Sequence, residues 1–309
     1  MWLFKKHLNN FPVDLVYLWC DGSDPVFKKN KELLYTKLYG NTKKQESLND
    51  HHFVQINELK YSLRSAEKNV PWIRKIFIVT NKQVPKWLNT KSDKIEIIDH
   101  SQIGLSNIYN SVAIESQLYK IPGLSEHFLY ANDDTFFNKK VKKSFFFNSK
   151  GIPIVHVYKC STIGCAYLTT IKTASTEIFG VNKFYTAPYH CIAPYTISQF
   201  KLVLNSRYSN VYNATSKNPF RSRFDMQKFF ISLYNYKMNK TKLVYHKPNK
   251  SDHDRVNVYT CYSLGLERID KYNPKLCCIN SSDKDDEKWN KSVIDLFEKK
   301  FSSKSSFEI

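Results

Sequence analysis

Residues 126–138 read EHFLYANDDTFFN, an apolar run of His127, Phe128, Leu129 and Tyr130 that stops on Asn132, Asp133 and Asp134. Such a run is a buried strand ending in a carboxylate pair. In an open α/β sheet ligands bind just beyond the carboxyl ends of strands, and an acidic pair there is placed to hold a divalent cation against a substrate's phosphates. Hard cations take oxygen ligands, and Mg²⁺ in particular is held by one or two carboxylates together with phosphate oxygens and water. Asn and Asp also favour turns, so turn chemistry at a strand end stands beside the metal reading.

Upstream, Val13 to Cys20 (VDLVYLWC) is rich in β-branched and aromatic residues and breaks into Asp21-Gly22-Ser23-Asp24-Pro25, a strand followed by a tight turn. A helix follows from about Val26 to Tyr39, with Lys28, Lys29, Lys31 and Lys37 on a solvated face, and Gly40 to Asp50 reads as a polar loop. From Asn57, a candidate cap, the period becomes helical. Leu59, Leu63 and Ala66 share one face, while Glu58, Lys60, Arg64 and Lys68 lie around the other. Pro71 and Trp72 end this helix and lead into strands over 73–80 and 95–99, and a helix over 111–120 precedes the acidic strand end. This βα alternation predicts a mostly parallel sheet. Neither a dinucleotide fingerprint nor a P-loop is present.

Downstream, Ile154 to Lys159 reads as a strand, and Ser161 to Phe179 is ambiguous between helix and loop. His190 lies in an irregular stretch bracketed by Pro188 and Pro194, where it is either an idle surface imidazole or a functional one. Arg221 and Arg223 stand just before a helix over 225–238 that Asp225 is placed to cap. Arginines in such places bind phosphate or pair with local acids.

At 309 residues, 42% hydrophobic and 15% aromatic, the chain buries a full core. Lys and Arg outnumber Asp and Glu by 47 to 28, a net charge of +19 that favours anionic partners: nucleic acid, an anionic membrane surface or phosphorylated substrates. The basic residues form no run of five or more, and no RNA-recognition or zinc-finger signature is present, which argues against nucleic acid. Seven cysteines without a C-x-x-C pair predict reduced thiols and a cytosolic setting. No apolar run approaches the roughly 20 residues that span a bilayer, and the start MWLFKKHLNN lacks a signal-peptide core. The expected location is the cytoplasm. Trp2, Leu3 and Phe4 beside Lys5 and Lys6 read first as a frayed terminus, with peripheral contact at the anionic inner face of a membrane as the alternative.

Together these residues carry a resemblance. The stretches VDLVYLWCDGSDP, NELKYSLRSAEKNVPWIRKIFIVTNKQVPKWLN, IYNSVAIESQLYKIPGLSEHFLYANDDTFF and the closing KLCCIN…SSFE resemble the four conserved blocks of the Stealth family of sugar-phosphate transferases, over nearly the whole chain from Val13 to Ile309. Members include bacterial capsular polysaccharide phosphotransferases and the catalytic subunit of the lysosomal N-acetylglucosamine-1-phosphotransferase. The resemblance implies an α/β, GT-A-like nucleotide-sugar-binding domain with a mostly parallel sheet and carboxyl-terminal helical additions. It would be one catalytic domain over 1–309, with the α/β core at about 13–160 and a helix-rich completing part at about 161–309. The implied reaction transfers a hexose-1-phosphate from a nucleotide-sugar donor to a hydroxyl of a saccharide acceptor and releases a nucleoside monophosphate.

By position, Asp21, Gly22, Ser23 and Asp24 match the family's first motif at the nucleotide end of the site, and Asn132, Asp133 and Asp134 match its Asn-Asp-Asp block. His190 and Arg221 match the His and Arg of its third block. The family's usual Thr-Phe-Asn-Ser reads Ile108-Tyr109-Asn110-Ser111 here, and the fourth block's usual Asn-Asp reads Asn280-Ser281. The second departure puts in doubt an acidic role for that block.

Phosphoryl transfer needs charge neutralisation and alignment more than covalent catalysis. The expected parts are therefore Mg²⁺ or Mn²⁺ on Asp133 and Asp134, cations from Arg221, Lys60 and Arg64 around the diphosphate, and His190, with an ordinary near-neutral pKa, as the base. Lys60 and Arg64 read equally well as exposed surface charge. Competing readings are a glycosyltransferase that releases a nucleoside diphosphate, a basic nucleic-acid-binding protein, and an inactive scaffold.

Overall fold

Val13–Leu18 forms β1, the strand on which the central sheet is laid. The structure, a computed structural model, describes residues 10–40, 56–162, 166–246, 258–262, 266–280 and 287–309. After β1 come α1 (Pro25–Tyr39), α2 (Glu58–Asn69), β2 (Ile76–Thr80), β3 (Ile95–Asp99), α3 (Ser111–Glu115), β4 (His127–Asn132) and β5 (Thr135–Phe137). The second half runs β6 (Ile154–Cys160), α4 (Ala166–Phe179), β7 (Tyr185–Pro188), β8 (Ala193–Thr196), α5 (Ile197–Leu204), α6 (Ser209–Lys217), α7 (Lys228–Lys237) and β9 (Lys242–Tyr245). It closes with β10 (Val258–Tyr262), α8 (Glu267–Tyr272), β11 (Leu276–Asn280) and α9 (Glu287–Lys300).

The central sheet has the order β3-β2-β1-β4-β8, parallel except for β8, which runs against β4. The α/β class and mostly parallel sheet read from the sequence are what the structure shows. Side chains alternate across β1, so Val13, Leu15 and Tyr17 join the core under α2 while Val16 joins the core on the opposite face with Phe77, Ile98 and Phe128. Asp14 breaks the apolar pattern yet is fully buried. Arg74 donates two hydrogen bonds to it at 2.8 and 2.6 Å, and the Ser125 N–H adds a third at 2.6 Å.

Among the described residues two three-stranded sheets stand beside the central one, in the orders β10-β11-β5 and β7-β6-β9. The carboxyl-terminal half therefore brings strands as well as helices. The ambiguous stretch before Phe179 resolves as α4, and the helix expected over 111–120 shortens to α3 with a 3₁₀ turn at Leu118–Lys120.

Two expected side-chain caps do not form. Asn57 precedes α2 with φ 66° and makes no side-chain cap bond; the Glu58 carboxylate accepts from the Ile56 N–H instead. Asp225 does not cap α7 either, which begins three residues later behind Gln227. Among the described residues no helix is long and apolar enough to cross a membrane. Trp2 to Lys6 and the loop after Gly40 lie outside the described residues.

The charged face of α2 is only partly solvated: Lys68 is exposed, whereas β5 and the carboxyl-terminal segment cover Glu58 and Arg64. Ser62 donates to the Thr135 carbonyl, Ser65 accepts from the Phe137 N–H and Asn69 donates to the Phe137 carbonyl, so a buried polar stripe holds β5 as a neighbouring strand would. Arg64 is 7% exposed, and its guanidinium makes two bonds of 2.7 Å to Glu308 and a third of 2.8 Å to the Phe301 carbonyl. Lys60 Nζ lies 3.9 Å from the same carboxylate. Lys31, expected on an exposed helical face, is likewise buried.

Burial alone would push the Glu308 carboxyl up, but Arg64 with the Ser305 N–H and hydroxyl outweighs it and holds the group at about 2. Its stabilisation is thus complete above the ordinary value of 4.5 and is lost as pH falls through about 2. Arg64→Ala leaves the Glu308 carboxylate with Ser305 and the more distant Lys60 but without its guanidinium, and should cost about 3 kcal/mol at pH 7. Denaturant unfolding at pH 7 and at pH 2 checks this; a loss of the same size at both values would remove the ion pair as its cause.

Candidate active site

Four segments meet where β1 and β4 end. Parallel pairing sets Leu18 beside Asn132, so the Asp21–Asp24 turn and the Asn132–Asp134 turn leave the sheet at the same edge. β8 runs the other way and begins with Ala193 opposite Tyr130, which delivers the loop from Tyr189 to Ile192, with His190, to that edge. The fourth segment is β11, whose Cys278 pairs with Thr135 and whose Ile279 N–H donates to the Asp134 carbonyl at 2.9 Å.

Asn132-Asp133-Asp134 makes the turn from β4 into β5. The turn is closed by the Thr135 hydroxyl, which donates to the Asn132 carbonyl at 2.6 Å. That closure makes no use of the Asp134 side chain. Asp134 Oδ2 accepts from Cys278 Sγ at 3.3 Å, and Oδ1 is buried with no hydrogen-bond partner. Burial first, then the neighbouring Asp133, raises the Asp134 carboxyl to about 7. Burial and then Asp133 also push Glu58 well up. A buried carboxylate oxygen without a donor, among acids that repel one another, fits a divalent cation.

His190 does reach this turn. Ligand atoms of Asp134, His190 and Cys278 all lie within 4.8 Å of one another. The imidazole is not near neutrality, as the sequence suggested. Burial, then Lys228 and Arg221, lower it to about 4 against the opposing pull of Glu115. It is therefore uncharged at pH 7. Arg221, exposed, donates to the Ser111 hydroxyl at 2.8 Å and stands near enough to act on His190.

The buried Asp225 accounts for Arg221's position. It accepts from Asn110 at 2.8 Å and from the Ser222 N–H at 2.8 Å, tying the loop that carries Arg221 to the residue that caps α3. Asp24 caps α1 through the Val26 and Phe27 N–H groups, and Asp21 Oδ1 accepts from the Ser23 N–H and hydroxyl. Gln83 latches this first turn to the end of β2, accepting from the Asp21 N–H and donating to the Asp21 carbonyl, both at 2.9 Å.

Of the residues expected at the site, Asp134 and His190 meet directly, Asn132 and Asp133 share their turn, Arg221 flanks His190, and Asp21 to Asp24 form the adjoining turn. Arg64 does not contribute, since Glu308 and carbonyl oxygens engage its donors; Lys60 leans on the same carboxylate.

Sequence reading missed Glu115, Lys228, Gln83 and Cys278. Lys228 Nζ lies 2.8 Å from Glu115 Oε1 and 4.5 Å from the centre of the Tyr130 ring, and the Tyr130 hydroxyl bridges Glu115 and Asn132. Glu115 is 4% exposed, and its Oε2 also lacks a partner. An acid directly after Ala113 and Ile114 on an apolar helix was the available signal.

The description Stealth protein CR2, conserved region 2, matches residues 52–155. The chain is also 31% identical to the capsular polysaccharide phosphotransferase SacB of Neisseria meningitidis serogroup A, over 97% of this chain and 57% of that protein. The chain belongs to the Stealth family. Two further relatives are 42% identical over shorter stretches. The exopolysaccharide phosphotransferase SCO6023 of Streptomyces coelicolor matches over 46% of this chain and 24% of its own length, and the capsular polysaccharide phosphotransferase fcs1 of Haemophilus influenzae over 46% and 39%. The chain thus spans between a quarter and somewhat over half of these Stealth relatives. Among solved structures it is similar to an active-site mutant of LgtC at a TM-score of 0.41 and 10% identity over 86% of either chain, too distant a likeness to carry an argument.

Because Asp134 is raised to about 7 from 3.8, its contribution to stability is present below 3.8 and lost as pH rises through about 7. Asp134→Asn should therefore melt higher than the unmodified protein at pH 8 without divalent cations, with the difference vanishing below pH 3.8. Adding Mn²⁺ should stabilise only the unmodified protein. A variant that melts lower at pH 8 would make Asp134 a structural turn residue.

Proposed function

We propose that this protein transfers a hexose-1-phosphate from a nucleotide-sugar, a UDP-sugar by preference, to a hydroxyl of a saccharide acceptor in capsular or cell-surface polysaccharide synthesis, releasing a nucleoside monophosphate. The observation that carries this reading is the convergence of His190 on Asp134, 56 positions apart in the sequence, beside a buried carboxylate oxygen that no protein donor satisfies. The Stealth relatives named as polysaccharide phosphotransferases support it.

Mg²⁺ or Mn²⁺ held by Asp133 and Asp134 would neutralise charge on the donor's diphosphate. The remaining work falls to the chain itself. The Asp21–Asp24 turn, stiffened by Gln83, and Asn132 border the nucleotide, and Arg221 and Lys228 bring positive charge to the side of the cleft where His190 stands. His190 accepts the proton of the acceptor hydroxyl through whichever ring nitrogen faces it. A base near 4 is weak in the empty site, but the arriving diphosphate places negative charge close to the imidazole and raises its proton affinity. Glu115 keeps Lys228 folded over Tyr130, so the ammonium is aimed rather than mobile.

With a UDP-sugar, Mg²⁺ and a saccharide acceptor, the protein should release UMP and form a sugar-phosphate-sugar linkage, read by nucleotide chromatography and phosphorus NMR. His190→Ala should lower the rate by about 10²–10⁴-fold while donor binding, measured by calorimetry, persists. UDP in place of UMP, with a phosphate-free product, would overturn the phosphotransferase reading in favour of glycosyl transfer.

A further inference from the structure

The donor set around Asp134 is not that of a purely hard cation. Mg²⁺ demands oxygen ligands in near-octahedral geometry and keeps several waters, which suits Asp133, Asp134 and a diphosphate. His190 and Cys278 offer a nitrogen and a sulfur, the donors that select zinc-like ions. The fold gathers the three from separate places. Asp134 lies in the turn between β4 and β5, His190 in the loop between β7 and β8, and Cys278 on β11, whose register against Thr135 is fixed.

We propose that Asp134, His190 and Cys278 form a three-donor oxygen–nitrogen–sulfur site that captures a Zn²⁺-class ion and, by occupying the base and the acidic turn, inhibits the enzyme. The inference rests on the cleft assigned under Proposed function and adds a ligand to it. Donors about 2.0–2.3 Å from a common tetrahedral ion stand about 3.3–3.8 Å from one another. The three donor atoms here lie within 4.8 Å, and the Cys278 Sγ to Asp134 Oδ2 distance is already 3.3 Å. Closing the set takes a movement of about 1 Å, small beside what a loop residue such as His190 can supply.

On binding, the S–H bond of Cys278 breaks, a sulfur–metal bond forms and the proton leaves to solvent, with no change of oxidation state. His190 coordinates through a neutral lone pair, and the Asp134 carboxylate gains a cation. A fourth position is left for water, as in zinc sites with three protein ligands. Once metallated, His190 cannot accept a proton.

The test uses the full-length chain freed of metals and titrated with Co²⁺, a visible reporter for Zn²⁺ sites. A sulfur-to-cobalt charge-transfer band should appear in the near ultraviolet and be abolished by an equivalent of Zn²⁺. Cys278→Ser should remove the band and weaken Zn²⁺ binding by more than the roughly 10–100-fold that loss of an outer-shell partner costs. His190→Ala, a loop substitution that leaves the buried strand intact, should keep the sulfur band while weakening Zn²⁺ comparably. Absence of the band, or its survival in Cys278→Ser, as Cys191 or Cys277 ligation would give, overturns the site. The band is read without turnover, so its failure and the failure of sugar-phosphate transfer are separate results.

Discussion

Asp134 keeps a carboxylate oxygen out of water with no donor on it, beside another carboxylate, and much of the molecule is arranged to hold it there. A buried unpaired acid is costly. The cost is tolerable because the surroundings are rigid: β5 is bound to the buried polar stripe of α2 on one side and to β11 on the other. Without those supports the turn after β4 would swing into solvent and the Asp134 carboxyl would relax to ordinary acidity. What makes the turn unfavourable in the empty protein is also what prepares it for a cation.

The basic half of the cleft is built by a different device. Lys228 is held by a buried acid and an aromatic face, so its charge reaches His190 and Asp134 through low-dielectric surroundings. Arg221 is exposed, and its position comes from the hydrogen-bonded hub at Asp225, which ties its loop to the distant Asn110. A neutral imidazole between two cations and a cluster of repelling acids is an arrangement of opposed charges suited to a polyanionic ligand. The net charge of +19 agrees with such a ligand but does not by itself locate it.

The chain order of strands and helices was legible because each element carries its period locally: the alternation in VDLVYL, the apolar run HFLY, the helical spacing of Leu59, Leu63 and Ala66. Where reading failed, the cause was a distant covering element. Arg64 was read as a cation for the diphosphate or as surface charge because nothing near it in sequence reveals that Glu308 folds back onto α2. Asp225 looked like a cap because Asp is a favoured cap residue; its bond to Asn110 is set by the tertiary fold. His190 was read with an ordinary pKa because burial and the cations beside it belong to the assembled cleft.

The sequence by itself determined the α/β class, the mostly parallel sheet, the acidic strand end at Asn132 to Asp134, and the family blocks that name Asp21, His190 and Arg221, since all of these are written in contiguous residues. Only the tertiary structure decided which of these residues meet. The antiparallel β8 carries His190 to the end of β4, and β11 sets Cys278 against Asp134. The physical reason is range. Periodicity and turn chemistry act over a few residues, whereas desolvation and Coulomb interaction, which set the protonation of Asp134, Glu308 and His190, depend on neighbours brought together from across the chain.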